Sequence, residues 1–333
     1  MINLETTYMG LKLKNPLVIS SSGLTNSVRK IKILEEKGAG AVVLKSLFEE
    51  QIYNEVQHLM QKDPKNVYPE AEDYIRAYTK ENSIKTYLDL IAEAKKTVDI
   101  PVIASINCVS ASDWTRFAKQ IEEAGADAIE LNVFVVPTDK NTSSTQYEQI
   151  YYDVLEAVKK EVNIPVAMKL GIYFTNLFGV VDHLNANGAD AVVLFNRFYE
   201  PDIDIEKLKI TPAEVLSVPT DIRKSLRWVG ILTDKIHGLD VSASTGIHNG
   251  EAAIKQLLAG ATTVQICSAV YEHGFDRVTS ILDEIKEWME RKEFKTVNEF
   301  RGKLSYKSIE NPALYERAQF MKYFSSAEKD VII

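Results

Sequence analysis

Cysteine is close to absent from this chain: Cys108 and Cys267 are the two thiols in 333 residues. So few exclude a disulfide framework and make a reducing, cytoplasmic setting the expectation. Long hydrophobic runs are missing too. No uninterrupted apolar stretch approaches about 18 residues, so no membrane span is expected. The opening MINLETTYMG lacks the basic-then-apolar order of a secretory leader. Positive charge is not in surplus. With 39 Lys and Arg against 47 Asp and Glu the net charge is −8, which speaks against a nucleic-acid partner. No cluster of His, Cys and carboxylates has metal-ligand spacing, so no metal site is expected. Low-complexity tracts and linker-like stretches are lacking, and residues 1–333 read as a single domain. That length is ordinary for an α/β barrel with extensions.

What is present is a repeating small unit. A Gly-Ala pair opens an apolar run that ends on a polar residue: Gly38-Ala39 to Lys45, Gly125-Ala126 to Asn132, Gly188-Ala189 to Asn196, Gly260-Ala261 to Ser268. Helix, tight glycine turn, buried strand and polar strand end make the βα unit of an α/β fold, the (β/α)8 TIM barrel. Active sites of such barrels lie at the C-terminal ends of the strands, so the polar endings are expected to converge. Short apolar runs behind turn residues predict strands at 17–21, 41–45, 102–106, 128–132, 166–170, 191–196, 239–243 and 263–267. Pro101 and Pro165 head two of them, where a missing N–H is tolerated. Helices are predicted at 112–123, with Trp114, Phe117, Ala118 and Ile121 on one face, and at 251–259 and 275–290. Two insertions break the rhythm. Residues 48–85, after the second strand, are polar and Tyr-rich without a clean period, as a lid or subunit contact would be. Residues 198–227, after the sixth, carry Pro201, Pro212 and Pro219. Residues 306–333 form a C-terminal helical extension, with a helix start at Asn311-Pro312.

The strongest local signal is SASTGIHNGEAAIKQLLAGATTVQICSA, residues 242–269. Small residues at the ends of strands seven and eight let backbone N–H groups face an anion, the usual phosphate site of barrel enzymes. Lys45 and Lys169 end or nearly end buried strands, where an ammonium must find a polar partner. Each suits an anion or a developing negative charge; a rim lysine snorkelling to solvent is the plainer alternative. Asn132 and Asn196 offer paired donors and acceptors suited to a planar heterocycle, or else bond their own loops. Asn107 is a weaker member of the set. His248 is expected on the loop surface.

These residues carry a resemblance. The chain resembles the class 1 dihydroorotate dehydrogenases, in particular a dihydroorotate dehydrogenase-like subgroup, and the FMN domain of dihydropyrimidine dehydrogenase. The likeness runs from NPLVISSSG (15–23) through VVLKS (42–46), VIASINC (102–108), GADAIELN (125–132), VAMKL (166–170) and VLFNRFYEPDID (193–204) to KEFKTVNEFRGKLS (292–305). It implies an FMN-dependent oxidoreductase, a small pyrimidine-like or other unsaturated substrate, a place in pyrimidine biosynthesis, and a homodimer. By the same resemblance Ser20 and Ser21 would touch the flavin near the first strand. Lys169 would face its N1 and O2, where the reduced ring carries negative charge. Lys45 and Asn132 would sit between flavin and substrate, and Asn196 would bind substrate. Asn107, Ser217, Ser244, Thr245, Gly246, Cys267 and Ser268 complete the implied cofactor contacts.

The chain departs from the family where proton transfer is expected. The family follows its strand-four Asn with a Cys or Ser base; here the loop reads NVFVVPTDKNTSST, and Val135 or Val136 holds that position. Thr138, Ser143, Ser144 and Tyr147 are nearby hydroxyls, but an alcohol needs activation to act as a base. The Asn-rich loop after strand two is absent, LSVPTD (216–221) replaces a glycine-rich turn, and Thr245 replaces a phosphate-loop glycine. Two other readings therefore stay open: a flavin-binding barrel without dihydroorotate turnover, and a non-redox lyase using Lys169 or Lys45 as a Schiff base. Nothing in the sequence names the electron acceptor.

Overall fold

The eight apolar runs form eight parallel strands: β1 (Leu17–Ile19), β2 (Ala41–Val43), β3 (Val102–Cys108), β4 (Ala128–Val133), β5 (Val166–Leu170), β6 (Ala191–Leu194), β7 (Asp240–Ser244) and β8 (Thr263–Ile266). The structure, a computed structural model, describes residues 2–48, 69–108, 114–197 and 200–316. Each strand pairs with its sequence neighbour. The ring closes where Val264 of β8 pairs with Leu17 of β1, and where Val42 of β2 pairs with Val102 of β3. Helices between the strands cover the outside, and the fold is a (β/α)8 barrel.

The repeated unit has a physical cause at each residue. Gly125 and Gly188 turn the chain out of a helix at φ +96° and +86°, a region that costs other residues a Cβ clash. The following Ala126 and Ala189 are buried. The next residue, Asp127, accepts the Val102 N–H at 2.7 Å and the Lys95 ammonium at 2.7 Å. Asp190 repeats this with the Val166 N–H at 2.8 Å and Lys159 at 2.9 Å. Each aspartate thus ties the start of one strand to its neighbour and to the preceding helix.

Two layers of core follow. Val264 and Ile266 of β8, Ile129 and Leu131 of β4, and Met168 and Leu170 of β5 pack outward against the helices. Small residues fill the inside, among them Val18, Ala41, Ala128, Ala167 and Ala191. Tyr8, Met9 and Leu13, from the hairpin Thr6–Tyr8 and Leu11–Leu13, pack on them and plug the N-terminal end of the barrel. The C-terminal end is left for chemistry. Gly260, at φ +117°, ends the helix Gly250–Ala259, and a Cβ there would lie 2.4 Å from Thr233 Oγ1. Gly260→Ala is expected to cost about 1–3 kcal/mol, read as a lowered midpoint in thermal unfolding.

The insertions differ from expectation at their edges. Residues 69–85, read as unperiodic, belong to one helix, Pro69–Thr97, whose Tyr87, Ile91 and Ala94 are buried against the barrel. Residues 198–227 overrun the next helix. Its core face begins at Ile222 and continues through Ser225 and Val229, so Ile222–Lys235 is the ordinary β6–β7 helix. The true insertion holds the hairpin Pro201–Asp204 and Lys209–Pro212, then a 3-10 turn, Pro219–Asp221. At the C-terminal end Pro312 precedes a short helix, Ala313–Glu316. Residues 49–68, inside the first insertion, and the extension beyond 316 lie outside the described residues. Among the described residues no helix is long and apolar enough to cross a membrane, and no three His, Cys, Asp or Glu side chains gather to hold a metal ion.

Candidate active site

A cavity of about 390 Å³ opens at the C-terminal ends of β1, β5, β6, β7 and β8. That size and position suit a small-molecule site. Ser20, Ser21, Lys169, Asn196, Ser217, Ser244, Thr245, Gly246, Cys267 and Ser268, all singled out in the sequence, line it.

Lys169 anchors one end. Its ammonium donates to Ser20 Oγ at 3.0 Å, Glu130 Oε1 at 3.1 Å and Gln265 Oε1 at 3.3 Å. Gln265 Nε2 donates to Glu130 Oε2 at 2.7 Å, and Ser20 Oγ donates to Gln265 Oε1 at 3.0 Å. Lys169 and Glu130 are 5% and 1% exposed, so this is an ion pair out of water with every charge answered. Glu130 and Gln265 were not singled out in the sequence. Each sits between two strand residues that pack on the helix layer, and alternation alone turns both inward.

The other end is built from two turns and a loop. Thr245 and Gly246, after β7, have φ of +74° and +80°. A β-branched residue is rare in that region; Thr245 is held there by its hydroxyl, which donates to the Phe195 carbonyl at 2.9 Å. Ser217 N–H and Oγ both donate to Ser268 Oγ, at 2.9 and 3.0 Å, and Gly246 N–H donates to Ser217 Oγ at 3.3 Å. Arg197, also missed in the sequence, pins the loop that carries Ser217. It pairs with Asp221 at 2.9 Å and donates to the Glu214 carbonyl at 2.7 Å. His248 corrects an expectation. It is 6% exposed, not on the loop surface, and its Nε2 lies 3.2 Å from Ser217 Oγ. The turn folds it inward because Arg277 holds its carbonyl at 2.9 Å and Glu272 faces its other nitrogen.

Asn132 and Asn196 meet directly: Asn196 Nδ2 donates to Asn132 Oδ1 at 2.7 Å. Asn107 stands beside Asn132 in register, on β3. Ser21 Oγ contacts Ser46 Oγ at 2.9 Å, joining the ends of β1 and β2. Lys45 is half-buried and lines a neighbouring, more open cavity with Asn26, Asn82 and Tyr87. Burial pushes the Cys267 thiol above its ordinary pKa, against the opposing pull of Ser22 and Lys169.

The loop after β4 spends part of its hydroxyls on itself. Ser143 caps the helix Ser144–Glu161 and donates to Gln146 at 2.9 Å. The Tyr147 hydroxyl receives the Asp139 N–H at 3.1 Å. Thr138 and Ser144 are exposed. Val135 is half-buried and Val136 is 49% exposed.

Barrel, strand-end cavity and a caged lysine opposite two small-residue turns define a (β/α)8 barrel with a small-molecule site at the C-terminal ends of its strands. Comparison with known proteins narrows the class. A family model described as dihydroorotate dehydrogenase matches residues 3–289, and the chain belongs to that family. It is accordingly a flavin-dependent oxidoreductase acting on CH–CH groups. It is similar to the catalytic subunit of dihydroorotate dehydrogenase B (NAD(+)) from Thermoplasma volcanium, at 29% identity over 91% of this chain and 98% of that protein. The protein of the same description from Methanocaldococcus jannaschii is 29% identical over 90% of this chain and 97% of its own. A putative dihydroorotate dehydrogenase A (fumarate) from Aeropyrum pernix is 26% identical over 90% and 96%.

Proposed function

We propose that the flavin is FMN and that it lies across the barrel mouth, between the Lys169 cage and the β7/β8 turns. The observation that carries this is the pairing of opposite ends in one cavity: a fixed ammonium at Lys169, hydroxyls and N–H groups at Ser217, Thr245, Gly246 and Ser268. A flavin supplies hydride chemistry at its ring; the protein supplies orientation and charge. Lys169 would hold a cation beside N1 and O2. Ser20 and Ser21 would face the ring from β1, with Ser244 and Cys267 from β7 and β8. Asn132 and Asn196, already in contact, would present amides to the substrate, and Lys45, which lines the neighbouring cavity, would border it from beyond the end of β2. Lys169 is a poor Schiff-base amine here, because all three of its N–H bonds are directed at Ser20, Glu130 and Gln265.

The substrate class is pyrimidine-like or another small unsaturated compound. Dihydroorotate itself is the first candidate, with orotate the product in pyrimidine biosynthesis. A second reading, FMN binding with little dihydroorotate turnover, is favoured by the valines at 135 and 136. Protein that purifies yellow, releases FMN on denaturation and bleaches anaerobically with dihydroorotate supports the first. Colourless protein that takes up no FMN on titration overturns both.

The chain is also proposed to form a homodimer. One face of the hairpin Pro201–Asp204 and Lys209–Pro212 presents Ile203, Ile205, Leu208 and Ile210 at 63–86% exposure, and such a patch needs a cover. Light scattering at micromolar concentration is expected to give twice the 37.5 kDa of the chain; a monomer alone counts against it.

A further inference from the structure

Neutral groups could hold Lys169 in place, and yet a carboxylate is buried beside it. Ser20 Oγ at 3.0 Å and Gln265 Oε1 at 3.3 Å accept two of its N–H bonds. Glu130 accepts the third at 3.1 Å, on a side chain 1% exposed. Bringing an ionised carboxylate out of water is costly even when it is paired. A carboxylate spent here adds one thing that a hydroxyl or an amide does not, a full negative charge.

Counting donors decides how Lys169 acts on its surroundings. An ammonium has three N–H bonds, and all three are spent inside the cage. Ser20 Oγ gives its own proton to Gln265 Oε1 at 3.0 Å, and Gln265 Nε2 donates to Glu130 Oε2 at 2.7 Å, so the four side chains close on one another. What Lys169 offers a ring in the cavity is therefore charge rather than a donated hydrogen bond, and Glu130 subtracts from that charge. Lys169 lines the cavity and Glu130 stands behind it, so the cancellation is partial. Neighbouring ionisable groups leave this balance alone. Arg197, the other cation lining the cavity, is paired with Asp221 at 2.9 Å. Burial, and then the charges of Glu130 and Asp240, push the Tyr8 phenol well above its ordinary pKa and keep it neutral. Burial likewise favours the neutral Cys267 thiol.

We propose that Glu130 is a positioning residue that sets the reduction potential of the flavin: it holds the Lys169 ammonium in the cage and cancels part of its charge. The proposal rests on the reading that the flavin ring lies beside Lys169. Reduction puts negative charge on the ring at N1 and O2, and a cation there favours the reduced form. A carboxylate directly behind the cation opposes that preference. The two electrons taken from a substrate must leave again to an acceptor, and an uncompensated ammonium would make the reduced flavin a weaker donor. Ser20 and Gln265 fix where the ammonium sits; Glu130 also fixes how strongly it acts.

The test is the reduction potential of the bound flavin, measured anaerobically at pH 7 on the full chain saturated with FMN, by equilibration with a reference dye. Glu130→Gln keeps the shape of the side chain and an oxygen for the Lys169 N–H, and loses the charge. It is expected to shift the dye equilibrium roughly 10–100-fold toward reduced flavin, a rise of about 30–60 mV for a two-electron couple. The paired variant, Lys169→Met with Glu130→Gln, is expected to fall below wild type. A part confined to shaping the cage would lower stability and FMN affinity in both variants and would not move their potentials in opposite directions. A Glu130→Gln chain that binds FMN with the wild-type potential, or with a lower one, overturns the proposal while the FMN reading stands. Wild type that binds no FMN overturns that reading, and this proposal with it. Should Glu130→Gln fail to fold, Glu130→Asp draws the charge back from Lys169 by one methylene and is expected to raise the potential by less. A Glu130→Asp potential equal to or below that of wild type then overturns the proposal by itself.

Discussion

Lys169→Ala is expected to lose about 3–5 kcal/mol of folding stability and to hold flavin poorly. The loss follows from what is left behind. Glu130 is 1% exposed and is answered by the Lys169 ammonium at 3.1 Å and by Gln265 Nε2 at 2.7 Å. Removing the ammonium leaves a carboxylate in the barrel with one amide donor and no countercharge. Ser20 Oγ and Gln265 Oε1 lose a donor at the same stroke. Urea unfolding of the flavin-free chain measures the cost. A paired variant, Lys169→Met with Glu130→Gln, removes both charges and is expected to regain most of the stability, but not the function. With no cation beside the ring, any flavin it holds is expected to have a lower reduction potential, since negative charge on the reduced ring goes unanswered. If Lys169→Ala unfolds like wild type, water enters the cage freely and the pair is not the buried unit described.

The sequence makes the barrel legible because the repeated unit is local. Gly188, Ala189 and Asp190 act within one turn and one strand start, and their spacing is visible in the chain. Strand ends are legible for the same reason: Lys169, Asn132 and Asn196 are polar where an apolar run stops. Partners across the barrel are harder to read, since Ser20, Glu130, Lys169 and Gln265 lie up to 245 residues apart. Alternation held a clue that runs of apolar letters hid. Ile129 and Leu131 pack outward around Glu130, and Val264 and Ile266 around Gln265. His248 was misread because burial of a loop residue depends on what packs over it. Glu272, Arg277 and Ser217 all come from other segments. The helix Pro69–Thr97 was hidden by the polar, unperiodic look of its first half.

Oxidation of dihydroorotate is expected to be slow at neutral pH even when the flavin is bound and competent. Hydride removal from one substrate carbon needs a proton acceptor at its neighbour, and the loop after β4 covers that face in the enzymes this chain resembles. By that resemblance Val135 or Val136 would hold the base position here, and neither side chain takes a proton. Of the loop hydroxyls, Ser143 is committed to its helix cap and Tyr147 to the Asp139 backbone, while Thr138 and Ser144 are exposed alcohols, which need activation to act as a base. Nor is Cys267 a substitute, since burial favours its neutral thiol. A missing positioned base costs about 10²–10⁴ in rate. Turnover well below roughly 1 per second is therefore expected, against the ordinary enzyme range. The two half-reactions separate the cause. Photoreduced flavin should reoxidise readily with a suitable acceptor, while dihydroorotate should bleach oxidised flavin slowly under anaerobic conditions. Val135→Cys should raise the bleaching rate more than Val136→Cys, because Val135 is half-buried whereas Val136 is 49% exposed. Wild-type bleaching faster than about 1 per second would show that another group on this chain takes the proton. If bleaching stays slow and neither cysteine helps, the natural substrate is one whose conversion asks no base of this loop.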